Sequence, residues 1–165
     1  MKGCKKMAIF TNQAQLRYGN AVANSNVAVG EILEVLAATK TAVRKTYGQN
    51  DRVTYVVSIV NSGNTAMTGL MVADDLGAYA FGTDTLVPLT YVADTVRYYS
   101  NGILQTTPAV TAGPPLSVSG ISVPAGGNVT IVYEAETNAF APLLAESEIT
   151  NTVTVSGCLL YTSPS

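Results

Sequence analysis

The chain has 165 residues, 11 acids, 9 bases, two cysteines, no histidine and no tryptophan, and only 12% of its residues are charged. The length suits one domain with an appendage, and a 47% hydrophobic composition sets the chain apart from disordered tails. Without histidine there is no serine–histidine–acid or cysteine–histidine catalytic centre and no imidazole-dependent zinc site, and a net charge of −2 gives no electrostatic reason to expect nucleic acid.

The chain opens on MKGCKKMAIF, where Lys2, Lys5 and Lys6 precede a short apolar run. Only Met7 to Phe10 follow before TNQAQLR, short of the roughly 7–15 apolar residues of an export signal. No later window reaches the ~18 apolar residues of a membrane helix. FTNQAQLRY and NSNVAVGEI then read as two N-terminal strands within residues 1–30. EILEVLAATKTAV (31–43) mixes two spacings, but alternation from Leu36 onward and its β-branched end favour a strand.

From here the period is two. Val53, Tyr55, Val57 and Ile59 share one face of DRVTYVVSIVN, with Arg52, Thr54 and Ser58 on the other. Val129, Ile131, Tyr133 and Ala135 alternate with Thr130, Glu134 and Glu136, and Ile149, Val153 and Val155 alternate with Thr150, Thr152 and Thr154. β-Branched residues alternating with threonine are the pattern of half-buried antiparallel strands. Turn signals separate them: NSGN at 61–64, SNG at 100–102, AGPP at 112–115 and PAGGN at 124–128. VRYYSNGILQ predicts a hairpin turning at Asn101-Gly102. FAPLLAESEI (140–149) is expected to hold a short helical turn. The pattern as a whole predicts an all-β fold, an immunoglobulin-like antiparallel sandwich of about seven strands over residues 31–157.

Two features concern the ends. FTNQAQL (10–16) repeats ITNTVTV (149–155) position for position, with asparagine on the apolar phase both times, so residues 1–30 read as the tail of a preceding copy in a tandem array. CLLYTSPS breaks the alternation and resembles translated sequencing-adapter read-through, which marks 158–165 as a non-native tail and argues against a Cys4–Cys158 disulfide.

ATKTAV (38–43), QNDRVTYVVSIVNSGNTAMTGLMVADDLG (49–77), VPAGGNVTIVYEAE (123–136) and ITNTVTV (149–155) occur in an order that resembles the domain of unknown function 11, a repeat of prokaryotic cell-surface proteins. Asn50 stands where the family usually has glycine, and a proline-rich insertion (108–115) lengthens the middle. The resemblance implies an exported stalk or spacer module at the cell surface or cell wall, with no catalysis and no cofactor. Its expected partners are neighbouring repeats in tandem, or another copy through a sheet edge.

Three polar residues fall on the apolar phase of strands: Lys40 among Leu36, Ala38 and Ala42; Asp74 among Leu70, Val72 and Leu76; and Asn151 among Ile149, Val153 and Val155. Ionisable groups are rarely buried unless paired, because desolvation costs several kcal/mol per ion. A core lysine, aspartate and asparagine resemble in composition the isopeptide-forming sets of Gram-positive stalk domains. Burial would lower the lysine pKa, so that the neutral Lys40 amine attacks the Asn151 side-chain carbonyl with Asp74 shuttling protons. The same residues equally suit a buried Lys40–Asp74 pair hydrogen-bonded by Asn151, or an edge lysine reaching to water.

Other candidates carry less. Asp74, Asp75, Asp84 and Asp94 could offer oxygens to calcium, but no D-x-[DN]-x-[DN]-G loop is present, and no metal site is expected. Asn128-Val129-Thr130 is a glycosylation triplet of a kind expected by chance in such a chain. Tyr91, Tyr98 and Tyr99 form the candidate ligand platform of an alternative function, an adhesin module binding glycan or a host protein, although hairpin tyrosines more often cover a sheet face.

Overall fold

A computed structural model describes residues 2–6, 10–17 and 36–162, with side chains over 36–157. In chain order the strands are β1 (Lys2–Lys6), β2 (Phe10–Arg17), β3 (Leu36–Ala42), β4 (Arg52–Asn61), β5 (Met67–Asp74), β6 (Tyr79–Phe81), β7 (Asp84–Leu86), β8 (Leu89–Tyr91), β9 (Arg97–Ser100), β10 (Ile103–Leu104), β11 (Ala109–Thr111), β12 (Leu116–Val123), β13 (Asn128–Thr137), β14 (Glu148–Ser156) and β15 (Cys158–Thr162). They assemble in antiparallel sheets. The largest runs β10-β9-β13-β4-β3, with β8 also on β13, a second runs β11-β12-β5-β14-β2, and β6 with β7 and β1 with β15 make two-stranded ribbons. Seven of these strands (β3, β4, β5, β9, β12, β13 and β14) carry the two main layers, and the fold is the all-β sandwich that the alternation predicts.

The core lies between the sheets because each strand turns its aliphatic phase inward. Val53, Tyr55, Val57 and Ile59 of β4, with Val129, Ile131, Tyr133 and Ala135 of β13, are all buried. Facing them are Leu70 and Val72 of β5, Val118, Ile121 and Val123 of β12, and Ile149, Val153 and Val155 of β14. Arg52 reaches Glu134 (3.3 Å) and Glu136 (3.6 Å) on the outer face, exposed ion pairs that contribute little to stability.

Turn chemistry fixes the register. Asn101 (φ 49°) and Gly102 (φ 81°) close the β9–β10 hairpin in the left-handed region, with Ser100 directly opposite Ile103. Asn61 ends β4 fully buried. Its amide donates to the Thr65 carbonyl (2.9 Å) and the Val123 carbonyl (3.2 Å), and its oxygen accepts the Gly63 N–H (2.9 Å). The NSGN turn is thus pinned to the end of β12.

The expected helical turn within 140–149 is not formed. Isolated i to i+3 bonds, from Ala141 N–H to the Asn138 carbonyl and from Ser147 N–H to the Leu144 carbonyl, make separate turns there. Pro142 has no N–H to continue a helix, and the Asn138 side chain takes the Phe140 N–H instead.

At the ends, β2 pairs antiparallel with the outer edge of β14, and β1 pairs with β15. The β1–β15 register sets Cys4 opposite Leu160 and Cys158 opposite Lys6, so the two cysteines do not face each other. The NSNVAVGEI strand lies outside the described residues.

Candidate functional site

Lys40 lies in the middle of β3 opposite Val57, on the inner face of the first sheet. Asp74 is the last residue of β5 and stands opposite both Leu116 and Val153 in the second sheet. Asn151 is two residues from Val153 along β14, on the same inward phase. Alternation therefore aims all three at one point between the layers. Lys40 and Asn151 are 0% exposed and Asp74 is 1% exposed.

The Lys40 ammonium donates to Asp74 Oδ2 at 2.7 Å, and the Tyr133 hydroxyl donates to the same oxygen. Asn151 Nδ2 lies 3.4 Å from that oxygen. Asp74 Oδ1 accepts the Leu76 N–H at 2.7 Å, and Asn151 Oδ1 accepts the Gly77 N–H at 3.2 Å. Gly77 has φ +77°, and a Cβ there would meet Ile149 at 2.7 Å, so glycine is what lets this backbone approach the asparagine. The Tyr55 ring covers the amine at 4.8 Å and stacks on Tyr133 with centroids 5.8 Å apart.

Burial sets the electrostatics. It lowers the Lys40 pKa from the ordinary lysine value, against the opposing pull of Asp74 and Asp75. It raises the pKa of Tyr133 and Tyr55, and the Asp74 charge pushes both in the same direction. Asp75 is also raised by burial, offset by hydrogen bonds from the Thr152 and Gly77 N–H groups, each 2.9 Å from Oδ1.

Tyr55 and Tyr133 are members of this cluster that the sequence pattern placed only on a buried face. A tyrosine on an aliphatic phase is the available signal, because its hydroxyl calls for a buried partner. Tyr133 has one. The Tyr55 hydroxyl lies near enough to the Asn151 amide to feel it electrostatically, yet it makes no hydrogen bond of proper geometry. Tyr55→Phe is therefore expected to leave stability unchanged or raise it by about 1 kcal/mol in urea unfolding. A loss above that size would mean that the hydroxyl is bonded.

The three platform tyrosines do not share a surface. Tyr98 faces inward, and its hydroxyl donates to the Ser122 carbonyl (2.8 Å) and accepts the Ser122 N–H (3.1 Å). Tyr91 is partly buried against the core, and Tyr99, next to Tyr98 in β9, points to the opposite face. A cleft of about 360 Å³ beside Tyr91, Leu76, Leu89 and Phe140 is lined by no acid or base. Among the described residues no three acids or cysteines converge on a metal-sized site, and no helix is long and apolar enough to cross a membrane.

No known protein family, curated protein or solved structure matches this chain.

Proposed function

We propose that this chain is a non-catalytic spacer module of a cell-surface stalk, covalently locked by an isopeptide bond between Lys40 and Asn151. The observation that carries the reading is the convergence of amine and carboxamide on the Asp74 carboxylate, fully buried between the two sheets. Dry burial favours the neutral amine, the nucleophilic form. The Gly77 N–H draws electron density from the Asn151 carbonyl, and Asp74 touches both the attacking and the departing nitrogen.

The step balances without a co-reactant. The Lys40 ammonium gives one proton to Asp74, and its nitrogen then bonds to Asn151 Cγ. The Cγ–Nδ2 bond breaks as Asp74 returns a proton to the departing nitrogen, which leaves as ammonia. The new amide nitrogen sheds its surplus proton to the carboxylate, so Asp74 ends protonated. The spacer reading also draws on the resemblance to the surface repeat and on the sandwich architecture, in which the bond joins a strand of each sheet.

Intact mass of the folded protein tests the bond. It is expected to fall one ammonia below the sequence mass, and Asp74→Asn is expected to restore the full mass. An unreduced mass in well-folded wild-type protein overturns the bond. The spacer role is tested by the sequence adjoining this one in its gene, where further copies of VTYVVSIVNSGN are expected. Adjoining sequence without any such copy would overturn it.

A further inference from the structure

We propose that β2 occupies the place of a second β14, and that two copies of this module join β14 to β14, antiparallel, about Thr152. Three observations carry this. First, β2 repeats the β14 sequence: Phe10, Asn12, Ala14 and Leu16 correspond to Ile149, Asn151, Val153 and Val155. Second, β2 pairs antiparallel with β14 in a register that sets Asn151 opposite Ala14, Thr152 opposite Gln13 and Val153 opposite Asn12. Replacing each β2 residue by its β14 counterpart turns this into Asn151 opposite Val153, Thr152 opposite Thr152, and Val153 opposite Asn151. The pairing is two-fold symmetric in sequence, which is the condition for a closed dimer.

Third, the backbone is set for it. Thr152 turns both its N–H and its C=O toward the β5 side: its carbonyl accepts the Asp75 N–H (3.0 Å), and its N–H donates to the Asp75 carboxylate (2.9 Å). Alternation then directs the N–H and C=O of Asn151 and Val153 outward, to the edge that β2 fills. Thr152 against its own copy is thus a non-hydrogen-bonded pair, the closer of the two kinds, flanked on each side by a hydrogen-bonded one. In an array of repeats, where β5 holds the other edge of each β14, the same junction joins modules two by two, β2 being the closing strand of the one before. Two modules then share one continuous sheet.

This inference rests on the reading of the chain as one module among copies, and it is tested by linkage between chains rather than by mass. In a Cys4→Ser, Cys158→Ser background, Ala14→Pro removes a β2 donor to Asn151 and frees the β14 edge. Mild oxidation of this protein carrying Thr152→Cys is expected to give a disulfide-linked dimer, since the non-hydrogen-bonded spacing suits a disulfide. Thr150→Cys or Thr154→Cys, which meet each other rather than themselves, are expected to link about tenfold less. With β2 intact, Gln13→Cys with Thr152→Cys is expected to close within one chain. A monomer after oxidation, or equal linkage at 150, 152 and 154, overturns the proposal. Should Ala14→Pro fail to fold, Asn12→Pro removes the neighbouring donor and gives the same reading.

Discussion

Asp74→Ala is expected to bring the protein to the edge of unfolding at 25 °C. The carboxylate is the acceptor for Lys40, Tyr133 and the Leu76 N–H at once, all of them in the core. Stranding a buried ammonium costs about 3–5 kcal/mol, and each orphaned neutral donor adds about 1–3 kcal/mol. The substitution also removes the proton carrier, so the cross-link does not form. Against a total stability of about 5–15 kcal/mol for a domain, these losses leave little. Urea unfolding followed by tyrosine fluorescence reads the effect, and a change below about 2 kcal/mol would mean that the cluster is hydrated. Asp74→Asn keeps the size and most hydrogen bonds while removing the charge, so it separates loss of the bond from loss of the fold.

Lys40→Ala is expected to cost a similar amount on either account of the site, and the urea m-value divides the two. If the core holds only an ion pair, removing one partner costs about 3–5 kcal/mol. If the Lys40–Asn151 bond forms, Asp74 ends protonated and no ion pair is left to lose, but the bond closes a loop of about 110 residues, and constraining the unfolded chain to that extent is worth about 4–5 kcal/mol. The expected loss is therefore about 4–5 kcal/mol, and the linked wild type, with its more compact unfolded chain, is expected to show a lower urea m-value than Lys40→Ala, whereas equal m-values would identify the unlinked pair. The Lys40→Ala, Asp74→Ala double variant is expected to lose less than the sum of the two single changes, because the second change removes the charge that the first left stranded.

The sandwich and the three polar core residues were legible because both follow from a period of two. Once Leu36 to Ala42, Leu70 to Leu76 and Ile149 to Val155 are read as strands, phase alone puts Lys40, Asp74 and Asn151 inside. What phase cannot supply is the pairing between distant segments. Asp74 meets Asn151 because β5 neighbours β14, and Lys40 arrives from the other sheet, so the contributions of Tyr133, Tyr55 and Gly77 stayed hidden. The 140–149 segment misled in the opposite way. Its Leu143, Leu144 and Ala145 favour helix locally, but Pro142 and the Asn138 side chain divert the backbone into turns. Tyr98 and Tyr99 are adjacent in sequence, and for that reason they point apart in the strand.

The placement of Lys40 and Asn151 has a mechanical consequence. They sit on β3 and β14, the first and last of the seven strands that carry the two main layers, so tension applied to the two ends of that set of strands enters at one and leaves at the other. With an amide between them, load passes from β3 across the core to β14 and never reaches β4, β5, β12 or β13. The hydrogen-bonded ladders of those strands are then spared from force, and the domain would transmit a pull as an inextensible link, lengthening only through the segments outside residues 40–151. Without the amide, the same pull would peel β3 from β4 and release the intervening chain.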